Sequence, residues 1–219
     1  MVQTRAAVLL LVCTVSALSC SREAPPPPRE PQHETATPAP PAAPQAPDSF
    51  LAALTTSRGP VTLVVHRAWA PQGADRFYAL VHSGFYDRAR FFRVVRGFVV
   101  QFGLPADPEP TRSWSSQPIP DDPVRHPNRR GTVAFASAGP NTRTTQVFIN
   151  LADNVRLDAL GFSPIGQVVE GSGIVDGLYG QYGEGPSQDS IRLQGDAYLA
   201  RAYPKLDQIR TATIVREWR

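Results

Sequence analysis

Cysteine is nearly missing from this 219-residue chain: there are two, Cys13 and Cys20, and none follows Cys20. Everything beyond residue 20 therefore lacks a disulfide and a thiol nucleophile, which suits an oxidising compartment. Lysine is rarer, with Lys205 alone, in an Arg-x-Tyr-Pro-Lys setting that fits neither a Schiff base nor a phosphate-binding loop. The four histidines (His33, His66, His82, His126) show no ligand spacing, so no metal is expected. No GxSxG elbow is present, which leaves serine-hydrolase chemistry without a nucleophile. Gly171-Ser172-Gly173 and Gly177 have GxGxxxG spacing with no βαβ pattern around them; they read as a turn into a short helix, and no nucleotide cofactor is expected. Charged residues make up only 19% and the net charge is +3, too mild a surplus to imply nucleic acid. No apolar run is long enough to span a bilayer.

The longest apolar run, Ala6 to Leu18, follows Arg5 and has the length of a signal-peptide core. It ends in Ala17-Leu18-Ser19-Cys20, where a small residue before cysteine matches lipoprotein processing. Residues 1–20 are expected to be a signal peptide, with Cys20 lipidated as the mature N-terminus; the alternative is an ordinary secreted protein cut near Ser19. Ten of the 23 prolines lie between Ser21 and Pro47. Such a segment cannot bury enough surface to offset its ordering entropy. Residues 21–47 are expected to be an extended tether, about 3 Å per residue and hence up to roughly 80 Å. The implied location is the cell envelope: a membrane-anchored lipoprotein facing the periplasm or exterior, or alternatively a soluble secreted or periplasmic protein.

Residues 48–219 are enough for one well-filled core. Val61 to Val65 reads as a strand. Phe77, Leu80 and Val81 have helical spacing within Ala74 to Ser83, and Gly84 stops that helix. Phe91 to Val95 and Phe98 to Phe102 are short β-branched and aromatic runs split by Gly97. Thr132 to Ala136, Thr145 to Leu151, Phe162 to Val169 and Ile209 to Trp218 read as further strands, and Ile174 to Leu178 as a helical turn. Many short strands and two or three helices predict a mainly β protein with an antiparallel sheet or barrel.

The acidic pairs Asp121-Asp122 and Asp153/Asp158 sit in polar loops and read as solvated or capping groups. Arg125 to Arg130 reads as an exposed basic loop. One constellation stands apart. On a period-two strand, Arg93 and Val95 share a face, and an arginine in an apolar wall is costly unless it meets a partner. Gln101 and Gln146 are also polar among apolar neighbours. Two arrangements fit: an apolar floor of Phe98 and Phe148 below three hydrogen-bonding heads, or Phe98 and Phe148 in the core with Arg93 paired to a carboxylate.

The segments Phe91-Phe92-Arg93-Val94-Val95-Arg96-Gly97-Phe98-Val99-Val100-Gln101, Phe135-Ala136-Ser137-Ala138-Gly139-Pro140-Asn141-Thr142 and Thr145-Gln146-Val147-Phe148-Ile149 resemble, in order, the motifs of the cyclophilin family of peptidyl-prolyl isomerases. Ala70-Pro71, Gly84-Phe85-Tyr86-Asp87, Leu157-Asp158 and Phe162 to Gly171 follow the same order, so the resemblance covers nearly the whole domain. It implies a closed eight-stranded antiparallel β-barrel capped by two helices, and the signal-like N-terminus makes the expected protein a bacterial, exported, lipoprotein-like member. It implies a prolyl isomerase (a rotamase) that needs no cofactor and speeds X-Pro isomerisation as exported proteins fold. The alternative is a binding module that keeps the proline groove as a chaperone or scaffold with little turnover. Expected partners are proline-containing polypeptides and, through the lipid, a membrane; the chain is expected to be monomeric.

By resemblance Arg93 takes the place of the catalytic arginine. Phe98, Val99, Phe148, Leu157 and Phe162 match the walls of the proline pocket. Gln101 and Gln146 match the groups that hold the peptide backbone, and Ala136, Ser137 and Ala138 the edge along which the peptide lies. Four departures stand out. Phe92 replaces the motif histidine, Ser137 replaces an asparagine, and Arg156 stands where cyclosporin-sensitive members have tryptophan. Gly183 to Asp207 is longer than the usual link to the last strand, and nothing in the sequence assigns it a role.

Overall fold

The computed structural model describes residues 45–219. The signal-like segment, Cys20 and nearly all of the proline-rich stretch lie outside the described residues. The folded chain opens with a hairpin of two long strands, β1 (Ser49–Thr56) and β2 (Gly59–His66), paired residue for residue from Ser49↔His66 to Thr56↔Gly59. β2 contains the predicted strand. β1 had not been anticipated: Leu51 and Ala53 interrupt any visible alternation, yet Phe50, Ala52, Leu54 and Thr56 form the buried face. Packing begins just before β1, where Ala46 is buried and donates its N–H to Asp75 at 2.9 Å.

Helix α1 (Pro71–His82) follows, with Pro71 in the first turn, where a missing N–H costs nothing. Two of its free N–H groups, on Gln72 and Gly73, donate to the Asp122 carboxylate at 3.0 and 2.9 Å. Asp122 is itself buried and accepts from Arg143 at 3.0 Å. The expected capping role thus falls on Asp122, from a loop distant in sequence.

Next come β3 (Arg93–Val95), β4 (Val99–Phe102), α2 (Pro108–Ser115), β5 (Thr132–Phe135), β6 (Val147–Asn150), a 3₁₀ turn (Val155–Leu157) and β7 (Pro164–Glu170). The chain ends with α3 (Ser172–Gly177), α4 (Gln188–Gln194), α5 (Asp196–Ala202) and β8 (Ile209–Trp218). All eight strands join one curled antiparallel sheet in the order β3-β4-β6-β5-β7-β2-β1-β8. Ahead of the two outer strands, Arg90 and Gln208 form a bridge, flanked by Phe91 N–H to Asp207 O at 3.0 Å and Ile209 N–H to Ala89 O at 2.8 Å.

The concave face of the sheet holds the main core, in which Phe50, Leu63, Phe77, Leu80, Tyr86, Phe102, Phe135 and Ile165 are fully buried. Each such side chain contributes about 1.5–3 kcal/mol on leaving water. Two helices pack on the sheet, α1 against β7 and β8 and α3 against β2. The described residues hold five α-helices, however, rather than two. The extra ones are α2 and the pair α4–α5 within Gly183 to Asp207. That pair has its own small core of Ile191, Leu199 and Leu206 around Phe92, with Leu104 beside it and Tyr182, Tyr198 and Tyr203 against its edge.

Candidate active site

Directly opposed residues of antiparallel strands share a face. Across β3, β4, β6 and β5 the register places Val94, Val100, Ile149 and Val133 in one row. All four point into the main core. The neighbouring row is Arg93, Gln101, Phe148 and Ala134, which must point the other way. A guanidinium, an amide and a benzyl group thus stand side by side on the outer face of the sheet because of strand period alone.

Around this row lies a groove of about 360 Å³. Phe98, Val99, Phe148, Leu157 and Phe162 line it as apolar wall, Arg93 and Gln101 as polar heads, and Ala136 and Ser137 as its edge. Val99, Ala134, Phe148 and Leu157 form a buried cluster beneath, and Phe148 meets Phe162 edge to face at 5.6 Å and 73°. A second hollow of about 240 Å³ shares Gln101, Ala136 and Ser137 and adds Ala138 and Gln146. The eleven positions matched by resemblance therefore come together in two adjoining hollows.

The polar heads form a chain. Gln101 is buried, donates its Nε2–H to Gln146 Oε1 at 2.8 Å, and accepts at Oε1 from Arg93 Nη1 at 3.1 Å. The Arg93 guanidinium lies over the Phe98 ring, 5.5 Å from its centroid. The first arrangement holds together with one half of the second: Phe98 and Phe148 line the groove below Arg93 and lie outside the main core, and Arg93 also meets a carboxylate. Its Nε and Nη2 donate to Glu184 Oε1 at 2.7 and 2.5 Å.

The walls are held from behind. Asn154 donates to the Phe98 carbonyl at 2.9 Å and to Asn150 at 2.7 Å. Asn128 donates to the Phe162 carbonyl and to Asp158, both at 2.7 Å. Tyr86, wholly buried, donates to the Thr145 carbonyl at 3.0 Å, and burial pushes its hydroxyl well above the usual tyrosine range, so it remains a donor. Gly103, at φ +105°, brings its strand so close to the neighbouring chain that a Cβ would lie 2.4 Å from the Thr145 carbonyl oxygen.

Besides Thr142 and Thr144 at the second hollow, three groove residues from one segment escaped the sequence analysis: Glu184 and Gln188 at the first hollow, and Gln188 with Arg192 at the second. Those three belong to the long link before β8, and no local pattern marks them. Their only signal is the excess length of that link. Phe92 explains how the link is seated: in place of a histidine, it gives α4 and α5 an apolar anchor. Arg156, on the 3₁₀ turn, places its guanidinium 4.8 Å from the Phe98 centroid.

Comparison with known proteins converges on one family. Residues 51–194 match the family model described as cyclophilin type peptidyl-prolyl cis-trans isomerase. The chain is 35% identical over 138 residues to peptidyl-prolyl cis-trans isomerase cyp18 of Streptomyces antibioticus, covering 58% of this chain and 81% of that protein. It is 35% identical over 134 residues to peptidyl-prolyl cis-trans isomerase A of Dickeya dadantii, covering 56% and 67%. A Cryptosporidium parvum cyclophilin crystallised in the presence of the dipeptide Ala-Pro superposes with a TM-score of 0.56 at 22% identity, over 76% of this chain and 99% of that one. Cyclophilin AquaCyp293 from Hirschia baltica gives 0.58 at 16% identity, over 80% and 77%.

Proposed function

The chain belongs to the cyclophilin-type peptidyl-prolyl cis-trans isomerase family, and from that premise we propose that the Arg93 groove is where it isomerises X-Pro bonds. The single observation that carries this is the row Arg93–Gln101–Phe148, which puts a fixed cation beside an apolar, ring-sized floor.

The chemistry follows from the bond. Amide resonance puts a rotational barrier of ~18–20 kcal/mol between the isomers, and uncatalysed X-Pro exchange takes tens to hundreds of seconds. Rotation breaks the resonance and localises a lone pair on the prolyl nitrogen. A guanidinium aimed at that nitrogen stabilises the twisted state more than either planar isomer, which is the differential binding catalysis requires. Arginine stays charged at any working pH and can donate to two acceptors at once. Phe98, Phe148, Leu157 and Phe162 hold the ring and exclude water. Gln101 orients the guanidinium, and with Gln146 and the Ala136–Ala138 edge it holds the flanking peptide. No covalent bond is made or broken, and no proton moves.

A chymotrypsin-coupled assay on an X-Pro tetrapeptide tests this. A proline-limited phase that speeds up in proportion to added enzyme supports turnover at the groove. Peptide binding without such acceleration would favour a chaperone or scaffold that only grips proline.

The setting is also part of the proposal. The apolar run Ala6 to Leu18 ending at Cys20, with the proline-rich stretch behind it, supports a bacterial envelope lipoprotein that works on exported chains. No helix among the described residues is long and apolar enough to cross a membrane. Cys20→Ser should release the protein to the soluble fraction or leave its precursor uncleaved; an unmodified mature Cys20 by mass spectrometry would count against lipidation. The bridge at Arg90 and Gln208 supports closure of the sheet into a barrel, and we take the working unit to be a monomer.

A further inference from the structure

Glu184 is not a casual surface partner of Arg93. The turn that carries it is tied down on three sides: Gly183 O accepts from Val94 N–H at 3.3 Å, Gly185 N–H donates to Tyr182 O at 2.8 Å, and Gly185 O accepts from the Tyr203 hydroxyl at 2.7 Å. Behind the turn, α4 and α5 are anchored on Phe92. The link between α3 and β8 thus delivers one carboxylate to the edge of the proline groove and holds it there.

The charges at that edge are unequal. Two guanidiniums, those of Arg93 and Arg156, flank the ring of Phe98 at 5.5 and 4.8 Å. Glu184 is the one anionic side chain among the described residues lining the groove. Its side chain is 65% exposed, so half of the ion pair is in water, where a bound peptide would meet it. Without Glu184 the mouth would carry two uncompensated positive charges and would draw in peptides with acidic residues.

We propose that Glu184 is a specificity residue for the isomerase reaction: it cancels one of the two positive charges at the groove mouth, so that X-Pro segments flanked by basic residues are disfavoured less against those flanked by acidic ones. This rests on the isomerase assignment of the Arg93 groove. The Arg93 contact is the means of fixing the carboxylate, and peptide charge is what it discriminates. Exposed charges a few ångströms to one Debye length apart interact by about the thermal energy or a little more. Exchanging a lysine for a glutamate beside the X-Pro bond doubles the difference.

The test is a matched pair of peptides differing only by Lys or Glu, placed in turn just before and just after the X-Pro unit. Both are assayed with wild type, Glu184→Gln and Glu184→Asp at low and high salt. Glu184→Gln should raise the ratio of kcat/KM for the Glu peptide over the Lys peptide by about 3- to 10-fold at low ionic strength. Glu184→Asp should keep the wild-type ratio, and about 0.5 M salt should erase the difference. A ratio unchanged in Glu184→Gln would overturn the proposal. So would an equal loss of kcat on both peptides that Glu184→Asp restores, which marks a residue that only orients Arg93. Arg93→Ala run in parallel separates the two claims. If it leaves turnover intact, the isomerase site is elsewhere; if it abolishes turnover and the ratio has not moved, the specificity claim alone fails.

Discussion

Gln101 stands directly opposite Arg93 in the β3–β4 ladder and accepts from its Nη1 at 3.1 Å, while its own amide is held by Gln146 at 2.8 Å. The buried amide therefore fixes where the guanidinium points. Gln101→Leu keeps the shape and removes the acceptor. It should lower kcat/KM about ten-fold, ~1.4 kcal/mol, with little change in Tm. Steady-state kinetics beside a thermal melt decide it, and full activity would make Gln101 a spectator.

Phe92 joins the α4–α5 pair to the sheet. Phe92→Ala leaves a cavity among Ile191, Leu199 and Leu206 and should cost about 3 kcal/mol. Denaturant unfolding measures the loss. Hydrogen exchange should show it first in residues 188–202, with the main core around Phe50 and Phe77 protected for longer. Uniform loss of protection would mean that the pair is not a separate packing unit.

No histidine lines the groove, and arginine does not titrate near neutrality. Activity should be flat between about pH 6 and 8, and a bell-shaped profile would reveal an acid or base at the site. Stability should behave differently. Burial first, and the charge of His126 second, hold His66 below its usual 6.5. The folded state then binds fewer protons than the unfolded chain. The His66 contribution is complete above pH 6.5 and is lost as pH falls through the folded value. Tm should drop between pH 7 and 5, and His66→Gln should shrink that drop.

Arg156 covers Phe98 with a guanidinium at 4.8 Å, at the position where the family resemblance implies a tryptophan in cyclosporin-sensitive members. An indole N–H donates one fixed hydrogen bond and covers apolar area, whereas arginine must be ordered and partly dried. Arg156→Trp should strengthen cyclosporin binding at least ten-fold, about 1.4 kcal/mol, and hardly alter turnover of short peptides. Calorimetric titration checks it; unchanged affinity would remove Arg156 from the rim's role.

The parts legible in the sequence are those governed by short-range rules. An arginine on a strand face shared with Val95, and a glutamine among apolar neighbours, marked Arg93 and Gln101, and ordered motifs placed Phe98, Phe148, Leu157 and Phe162 in one wall. β8 spans Ile209–Trp218, the range read as a strand from the sequence. β1 was hidden because Leu51 and Ala53 blur its pattern, and its face is fixed only by pairing with β2 and β8. Helices α4 and α5 are seven residues each, and their apolar positions make sense only against Phe92. Glu184 lies 91 residues from Arg93, and no pattern within either segment announces a contact that tertiary packing alone creates.

The most direct test of the account is Arg93→Ala in the chymotrypsin-coupled assay, with circular dichroism on the same sample. A catalytic guanidinium predicts kcat/KM at least ten-fold lower, ~1.4 kcal/mol or more of lost transition-state stabilisation, in a protein that remains folded. A folded Arg93→Ala variant with wild-type kcat/KM would contradict it.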